Sequence, residues 1–275
     1  MKLLLKPAVD YRFSELAEIL NRSFADYFIK IEMDGPTLAQ LTRYEGTDLT
    51  VSRLIFQEDQ LVGCALIGRR GWTSRLAAMG LLPEARRQGV GRWALQQLIA
   101  EAKARDEREM VLEVIEQNTP AVQLYRQAGF QIYRRLVGYK ITTPSGLEHE
   151  ELQEVDLQEV AWATNTYGLP DLPWQLSGAT LVETGPPSRG YRLGSAYAAI
   201  SDPRQSHITL RGLIVHPDHQ RQGQGTRLLQ ALFAAYPDKS WTVPVVYPEE
   251  LIYIFEKMGF KQEALTQLQM TLDLT

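Results

Sequence analysis

The sequence predicts a mixed α/β fold, helices packed on a mixed sheet, arranged as two tandem domains. Three observations carry this expectation. A glycine-rich stretch occurs twice, as Leu81-Leu82-Pro83-Glu84-Ala85-Arg86-Arg87-Gln88-Gly89-Val90-Gly91 and as Val215-His216-Pro217-Asp218-His219-Gln220-Arg221-Gln222-Gly223-Gln224-Gly225, the two prolines about half a chain apart. Such spacing marks an internal duplication. Each copy lies between a strand-like run and an amphipathic helical pattern. Finally, 275 residues that are 44% apolar suffice for two domains of roughly 135 residues, here 1–145 and 146–275.

The elements follow in order. Leu3 to Leu5 reads as a strand, and Phe13, Leu16, Ala17 and Leu20 carry helical spacing up to Phe24. A second helix is expected after Gly35-Pro36, because proline suits a first helical turn. Strands are predicted at 51–57, 61–69 and 75–82, the last running into the first glycine loop. Leu95, Leu98, Ile99 and Ala102 give the next helix a core-facing stripe. A strand at Met110–Ile115 precedes a helix from Thr119-Pro120, with Thr as its cap. That helix is expected to bury Ala121, Leu124, Tyr125 and Ala128 and to stop at Gly129. The second half repeats the late portion: Leu228, Leu232 and Ala235 on a long helix, a strand at Trp241–Val246, and Leu251, Ile254, Phe255 and Met258 on a final helix before Gly259. Those four residues follow Ala121, Leu124, Tyr125 and Ala128 at one constant interval. Thr142–Glu150, with Pro144, Ser145 and Gly146, is the expected linker. Gly168–Gly190 is rich in Gly and Pro and reads as a long connection or a substrate loop.

Composition narrows the function classes. A net charge of −4 and a pI near 5.7 lack the basic footprint of a nucleic-acid-binding protein. The one cysteine, Cys64, lies in the apolar run Leu61–Ile67, so no intramolecular disulfide is available. The N-terminal apolar run is too short for a signal-peptide core, and none approaches membrane-spanning length, so a cytoplasmic protein is expected.

The glycine loops point to anion binding. Backbone N–H groups of such a loop and of the helix start converge where a phosphate can sit. Gly89-Val90-Gly91-Arg92-Trp93-Ala94 formally matches the dinucleotide fingerprint, but the second copy has Leu228 at the third small position, and three strands precede the one that leads into the first copy. No lysine follows either glycine pair as a triphosphate loop requires.

The pattern Pro-x-x-Arg/Gln-x-x-Gly-x-Gly between strand and helix, followed by Leu112-Glu113-Val114, Asn118, Ala121, Leu124-Tyr125 and Gly129-Phe130, resembles the GCN5-related N-acetyltransferases (GNAT). The resemblance covers most of each half, and its motif identity is concentrated in Leu81 to Phe130. It implies the GNAT fold and acetyl-CoA as donor. It further implies that Arg87, Gln88, Gly89, Val90, Gly91 and Arg92 hold the coenzyme A pyrophosphate, that backbone groups of Met79 and Leu81 pair with the pantetheine arm, and that Asn118 bonds that arm. In the second half the corresponding positions are Leu213, Val215, Gln222, Gly223, Gln224, Gly225 and Thr226. The tandem arrangement is similar to the mycothiol synthase type, whereas Glu113-Val114 with Asn118 and Tyr125 is closer to the ribosomal-protein alanine acetyltransferases.

Acetyl transfer to an amine needs a neutral nucleophile and an acid for the departing thiolate. Tyr125 is the candidate acid, the alternative being a core aromatic on the apolar helix face. Glu113 is the candidate base, acting through a water; the alternative is a glutamate paired with an arginine or facing solvent. The second half has Val243, Pro248 and Phe255 for Glu113, Asn118 and Tyr125, so its site is expected to be degenerate, with Tyr247 or Tyr253 as weakly supported substitutes. His216-Pro217-Asp218-His219 lacks the partners of a metal site and reads as surface, so no metal is expected. Phe24, Tyr27, Phe28, Ile31 and Met33 read as core packing, in a segment that in this family helps line the acceptor pocket.

The expected function is therefore transfer of acetyl from acetyl-CoA to a primary amine by direct attack, with the N-terminal domain active. Alternatives are a non-catalytic acyl-CoA-binding scaffold, or activity in the C-terminal domain. The acceptor is a small-molecule amine or a protein N-terminus; the two domains are expected to pair within the chain, and a homodimer is an open alternative.

Overall fold

A computed structural model describes residues 2–144 and 150–275, so most of the expected linker, 145–149, lies outside the described residues. The chain forms two compact units. The first comprises the chain up to Val114 with Asn118–Tyr133 and Gln269–Thr275, the second Ile115–Gln117 with Arg134–Leu268.

In the first unit, strands β1 (Leu3–Pro7), β2 (Arg53–Gln57), β3 (Gln60–Arg70) and β4 (Thr73–Leu81) form an antiparallel series, and β5 (Glu109–Ile115) joins β4 in parallel. Helix α1 (Phe13–Ser23) starts with Glu15 accepting from the Arg12 N–H at 2.8 Å. It buries Leu16, Ala17 and Leu20 against Leu54, Phe56, Cys64 and Leu66. Asp34 caps α2 (Gly35–Tyr44) through the Thr37 N–H, and Pro36 sits in its first turn as expected. Helix α3 (Val90–Ala104) buries Ala94, Leu95, Leu98 and Ala102. On α4 (Thr119–Gln127) the sequence reading needs correction. Asn118, not Thr119, is the cap, its Oδ1 accepting from the Ala121 N–H at 3.3 Å. Val122 and Tyr125 are the buried residues, while Ala121, Leu124 and Ala128 are half-buried. Leu124 and Ala128 line a groove with Arg92 and Leu95 of α3, so their apolar spacing serves a cleft wall rather than a core.

In the second unit, the elements are β6 (Gln131–Ile141), β7 (Gln153–Val155), α5 (Leu157–Tyr167), α6 (Gly178–Glu183), β8 (Arg189–Leu193), β9 (Ala196–Ile200), β10 (His207–Val215), α7 (Gln224–Ala235), β11 (Ser240–Pro248), α8 (Tyr253–Lys257) and β12 (Lys261–Asp273). The first three residues of β6 and the last five of β12 belong to the first unit. The strand order is β12-β6-β11-β10-β9-β8-β7, with β10 and β11 parallel. Leu228, Leu229, Leu232 and Phe233 of α7 pack on Trp241, Val243, Phe255 and Phe260. The Gly168–Gly190 region holds a short helix, α6, which Ser177 caps through the Thr180 N–H at 3.3 Å. Six residues are too few for helical periodicity to register, which hid it from the sequence reading.

Candidate functional site

In the first unit β4 and β5 pair only over Thr73–Arg75 with Glu109–Val111, and beyond that register they part. The fork leaves Leu76–Leu81 of β4 facing a gap on the β5 side. At the end of β4 stands the glycine loop. Arg87 and Gly89 have φ of 62° and 83°, left-handed values that glycine adopts without strain and arginine does not. Gly89 is the cap of α3 with no side-chain acceptor. The first N–H groups of a helix have no intrahelical partner, so this turn directs donors to one point. Gly91 lies against Met79 and Leu81: a Cβ there would be 3.5 Å from Leu81 Cδ1 and 3.9 Å from Met79 Cε.

The polar residues before the glycines hold the loop in shape. Arg86 Nε donates to the Leu81 carbonyl at 3.0 Å and its Nη2 to the Ser23 carbonyl at 3.2 Å; Gln88 Nε2 donates to the Glu84 carbonyl at 2.6 Å. Arg92 donates to Gln127 at 2.6 Å, joining α3 to α4. Val90 is fully buried under the loop.

Tyr125 is buried on α4, with its ring edge-to-face on Phe130 at 5.8 Å. Burial, and secondarily the nearby phenol of Tyr27, push its pKa well above the ordinary tyrosine value, so its proton stays on at neutral pH. Burial also raises the Tyr27 pKa, opposed by a hydrogen bond with the Asn118 side chain. Tyr27, Asn118 and Tyr125 thus form one group. The sequence reading put Tyr27 in a core cluster; instead Phe24, Tyr27 and Phe28 form an edge-to-face chain whose end is open, Phe28 being 47% exposed. The charged Asp26 and Lys30 on either side of Tyr27-Phe28-Ile29 were the available signal.

Glu113 lies on β5 with its carboxylate bound by Arg75 Nε at 2.7 Å. Glu45 binds the same guanidinium at 2.5 Å. Burial works against the Arg75 charge, but Glu113 and then Glu45 outweigh it and keep the guanidinium protonated. This is the arginine-paired alternative.

The second unit repeats the scaffold. β10 and β11 pair over His207–Thr209 with Ser240–Thr242 and then part. Arg221 and Gly223 have φ of 57° and 82°, Gln220 donates to the Val215 carbonyl at 3.1 Å, and Gln222 to the Asp218 carbonyl at 2.9 Å. A Cβ on Gly225 would be 3.5 Å from Val215 and 3.9 Å from Leu213, as in the first loop, but only 2.9 Å from Ile254. The strand registers correct one correspondence: they set Pro244, not Val243, opposite Glu113. Either way the carboxylate is gone, as is the phenol at buried Phe255. His216 stacks edge-on against Tyr167 at 4.6 Å and His219 is exposed.

Residues 13–130 match the acetyltransferase (GNAT) family, and residues 187–262 match a GNAT acetyltransferase domain. The chain belongs to the GNAT acetyltransferases and is of the tandem type. Among solved structures, a GCN5-related N-acetyltransferase from Sphaerobacter thermophilus superposes with a TM-score of 0.72 at 14% identity, over 99% of this chain and 96% of that one. A tandem GNAT protein from the clavulanic acid biosynthesis pathway gives 0.67 at 14% identity, over 100% and 99%. Eis1 from Mycobacterium abscessus gives 0.60 at 13% identity, over 100% of this chain and 74% of that one. These likenesses extend the shared fold over the whole chain. Acetyltransferases of this family use acetyl-CoA, and the forked strands and glycine loops are compatible with it.

Proposed function

We propose that this chain transfers acetyl from acetyl-CoA to a primary amine by direct attack in one ternary complex, and that the first unit carries the reaction. The observation that supports this best is the coincidence, in one unit, of the β4/β5 fork, the Arg87–Gly91 loop and the buried phenol of Tyr125. The second unit has the fork and the loop without the phenol.

In this reading the N–H groups of Gln88–Arg92 receive the pyrophosphate, and the backbone of Met79 and Leu81 receives the extended pantetheine arm. Bound acetyl-CoA supplies an activated thioester carbonyl. The fork orients that carbonyl toward the amine, and orientation alone provides much of the acceleration. As the N–C bond forms and the C–S bond breaks, the Tyr125 hydroxyl gives its proton to the departing sulfur, the attacking nitrogen gives up a proton to solvent, and solvent returns one to the Tyr125 phenolate. Asn118 and Tyr27 keep that hydroxyl in a fixed polar setting. Glu113, expected as the base, serves here as the anchor that binds Arg75 at the fork. The domains assigned by sequence are 1–145 and 146–275. The acceptor is a small-molecule amine or a protein N-terminus, and the second loop, Gln222–Thr226 beside Leu213 and Val215, is assigned to binding rather than turnover. Among the described residues no helix is long and apolar enough to cross a membrane; with Cys64 free and buried, a reducing cytoplasmic setting is proposed.

Thiol release from acetyl-CoA with a broad amine panel tests the reading. Tyr125→Phe is expected to lower kcat by about 10²–10⁴-fold with little change in KM. Equal rates for the two proteins sink the acid assignment, and absence of turnover with every acceptor sinks catalysis.

A further inference from the structure

Each acetyl transfer in the reading above removes the proton of a buried hydroxyl, and that proton has to be replaced before the next. Tyr125 is buried on α4 with its ring against Phe130. An oxyanion left in such surroundings is costly, because water is not there to solvate it. A polar route between Tyr125 and the surface is therefore of use to the site.

Tyr27 stands where such a route would run. Its phenol is the ionisable neighbour that bears on Tyr125, and it shares a hydrogen bond with the Asn118 side chain. Asn118 Oδ1 is engaged as the cap of α4, accepting from the Ala121 N–H at 3.3 Å. The amide N–H group is left to donate, and it donates to the Tyr27 oxygen. Tyr27 then still has its own O–H to give. Its ring is held edge-to-face by Phe24 at 5.1 Å and by Phe28 at 5.6 Å. Phe24 in turn rests on the fork strand, where a Cβ on Gly80 would come within 2.8 Å of its Cε2, while Phe28 opens to solvent. Half-buried Tyr27 thus lies between a buried phenol and the surface.

The acidities of the two phenols run the same way. Burial raises both, but Tyr125 is the more deeply buried, and the Asn118 bond opposes the rise at Tyr27 alone. Tyr27 is the stronger acid of the two, so a proton moves downhill from it to a Tyr125 phenolate. The Asn118 N–H then stabilises the charge passed to the Tyr27 oxygen.

We propose that Tyr27 is the proton relay that reloads Tyr125. The Tyr27 O–H bond breaks as the Tyr125 O–H bond forms, and solvent on the exposed side restores Tyr27 with a proton equal to the one the attacking amine released. The place of this relay in turnover rests on the reading of Tyr125 as the acid; the exchange of the Tyr125 hydroxyl with solvent does not.

That exchange is the test. On the full chain without ligand it is read from the deuterium isotope shift at the ζ-carbon of labelled tyrosine in mixed light and heavy water, with Tyr125 assigned by its loss in Tyr125→Phe. Tyr27→Phe keeps the ring between Phe24 and Phe28, removes only the hydroxyl, and is expected to slow exchange at Tyr125 about 10-fold or more. A packing defect would do the reverse, since an opened site admits water. Asn118→Asp preserves the α4 cap but offers the Tyr27 O–H an acceptor of its own, and should slow exchange as well. With acetyl-CoA and an accepted amine, the first turnover of Tyr27→Phe should keep the wild-type rate, while steady-state kcat falls about 10-fold and KM stays within about twofold. Exchange at Tyr125 that is unchanged or faster in either folded variant overturns the relay. A first turnover slowed as much as the steady state also overturns it, and makes Tyr27 a positioning residue only. Wild-type turnover in Tyr125→Phe overturns the acid assignment instead, and slowed exchange in Tyr27→Phe then supports the relay on its own.

Discussion

Arg75 is the last residue of β4 that pairs with β5, and its guanidinium reaches Glu113 just beyond the point where the backbone ladder stops. With both side chains under 5% exposed, the pair acts as a bolt at the base of the fork. In the second unit Pro244 occupies the position equivalent to Glu113, just past the last ladder pair, Thr209 with Thr242. The two roles for Glu113 separate experimentally. As a structural anchor, its replacement in Glu113→Gln leaves Arg75 with one partner fewer, and the expected loss of stability is about 3 kcal/mol, seen in urea melts. The pH–rate profile of the folded variant should keep its acidic limb. Loss of that limb with unchanged stability would return Glu113 to the base role. The sequence put Glu113 in the strand after the first long helix, and the structure has it on β5. What the sequence could not display was the arginine 38 positions earlier that meets it, since pairing between strands depends on register and not on local pattern.

At the scale of elements, both glycine loops were legible because their constraint is local. A left-handed φ at the N-cap itself, immediately before the helix start, favours glycine at 89 and 223, whatever surrounds them. Gly89→Val therefore tests the loop by conformation alone, since nothing lies within 4 Å of a Cβ there. Placing a β-branched residue at this φ costs about 1–2 kcal/mol locally. The expected result is a KM for acetyl-CoA raised about 10-fold, and by more than Gly223→Val raises it, if the first unit turns over the substrate. A larger effect from Gly223 would move the activity to the second unit. Helix α4 was less legible. Its apolar residues were seen, but whether Leu124 and Ala128 were core or cleft wall depended on α3 standing beside them.

For the molecule as a whole, stability against acid follows from carboxylates whose folded pKa lies below the unfolded one. Glu107 is nearly fully buried. Burial alone would raise its pKa, but Arg105, Ser74 and Arg69 outweigh it and bring the pKa down. Glu116 is lowered by Thr266 and Arg135, and Asp202 is held at about 2, chiefly by Arg204. The sign is that of a depressed acid: the stabilisation is complete above the unfolded glutamate value of about 4.3 and is lost as pH falls through the folded pKa. Thermal melts are expected to lose midpoint below about pH 5. Glu107→Gln should lose about 2 kcal/mol at pH 7 and show a shallower decline on the acid side. An unchanged acid slope would remove Glu107 from this account.

The sequence by itself determined the duplication, the two glycine turns, the family, and the loss of the phenol at Phe255. Each rests on residue type and spacing within one element, where backbone geometry is fixed locally. Tertiary structure decided the partner of Glu113 and the grouping of Tyr27 with Asn118 and Tyr125. Those depend on strand register and on which helix faces which strand, and they are set by long-range packing that no single stretch of sequence encodes.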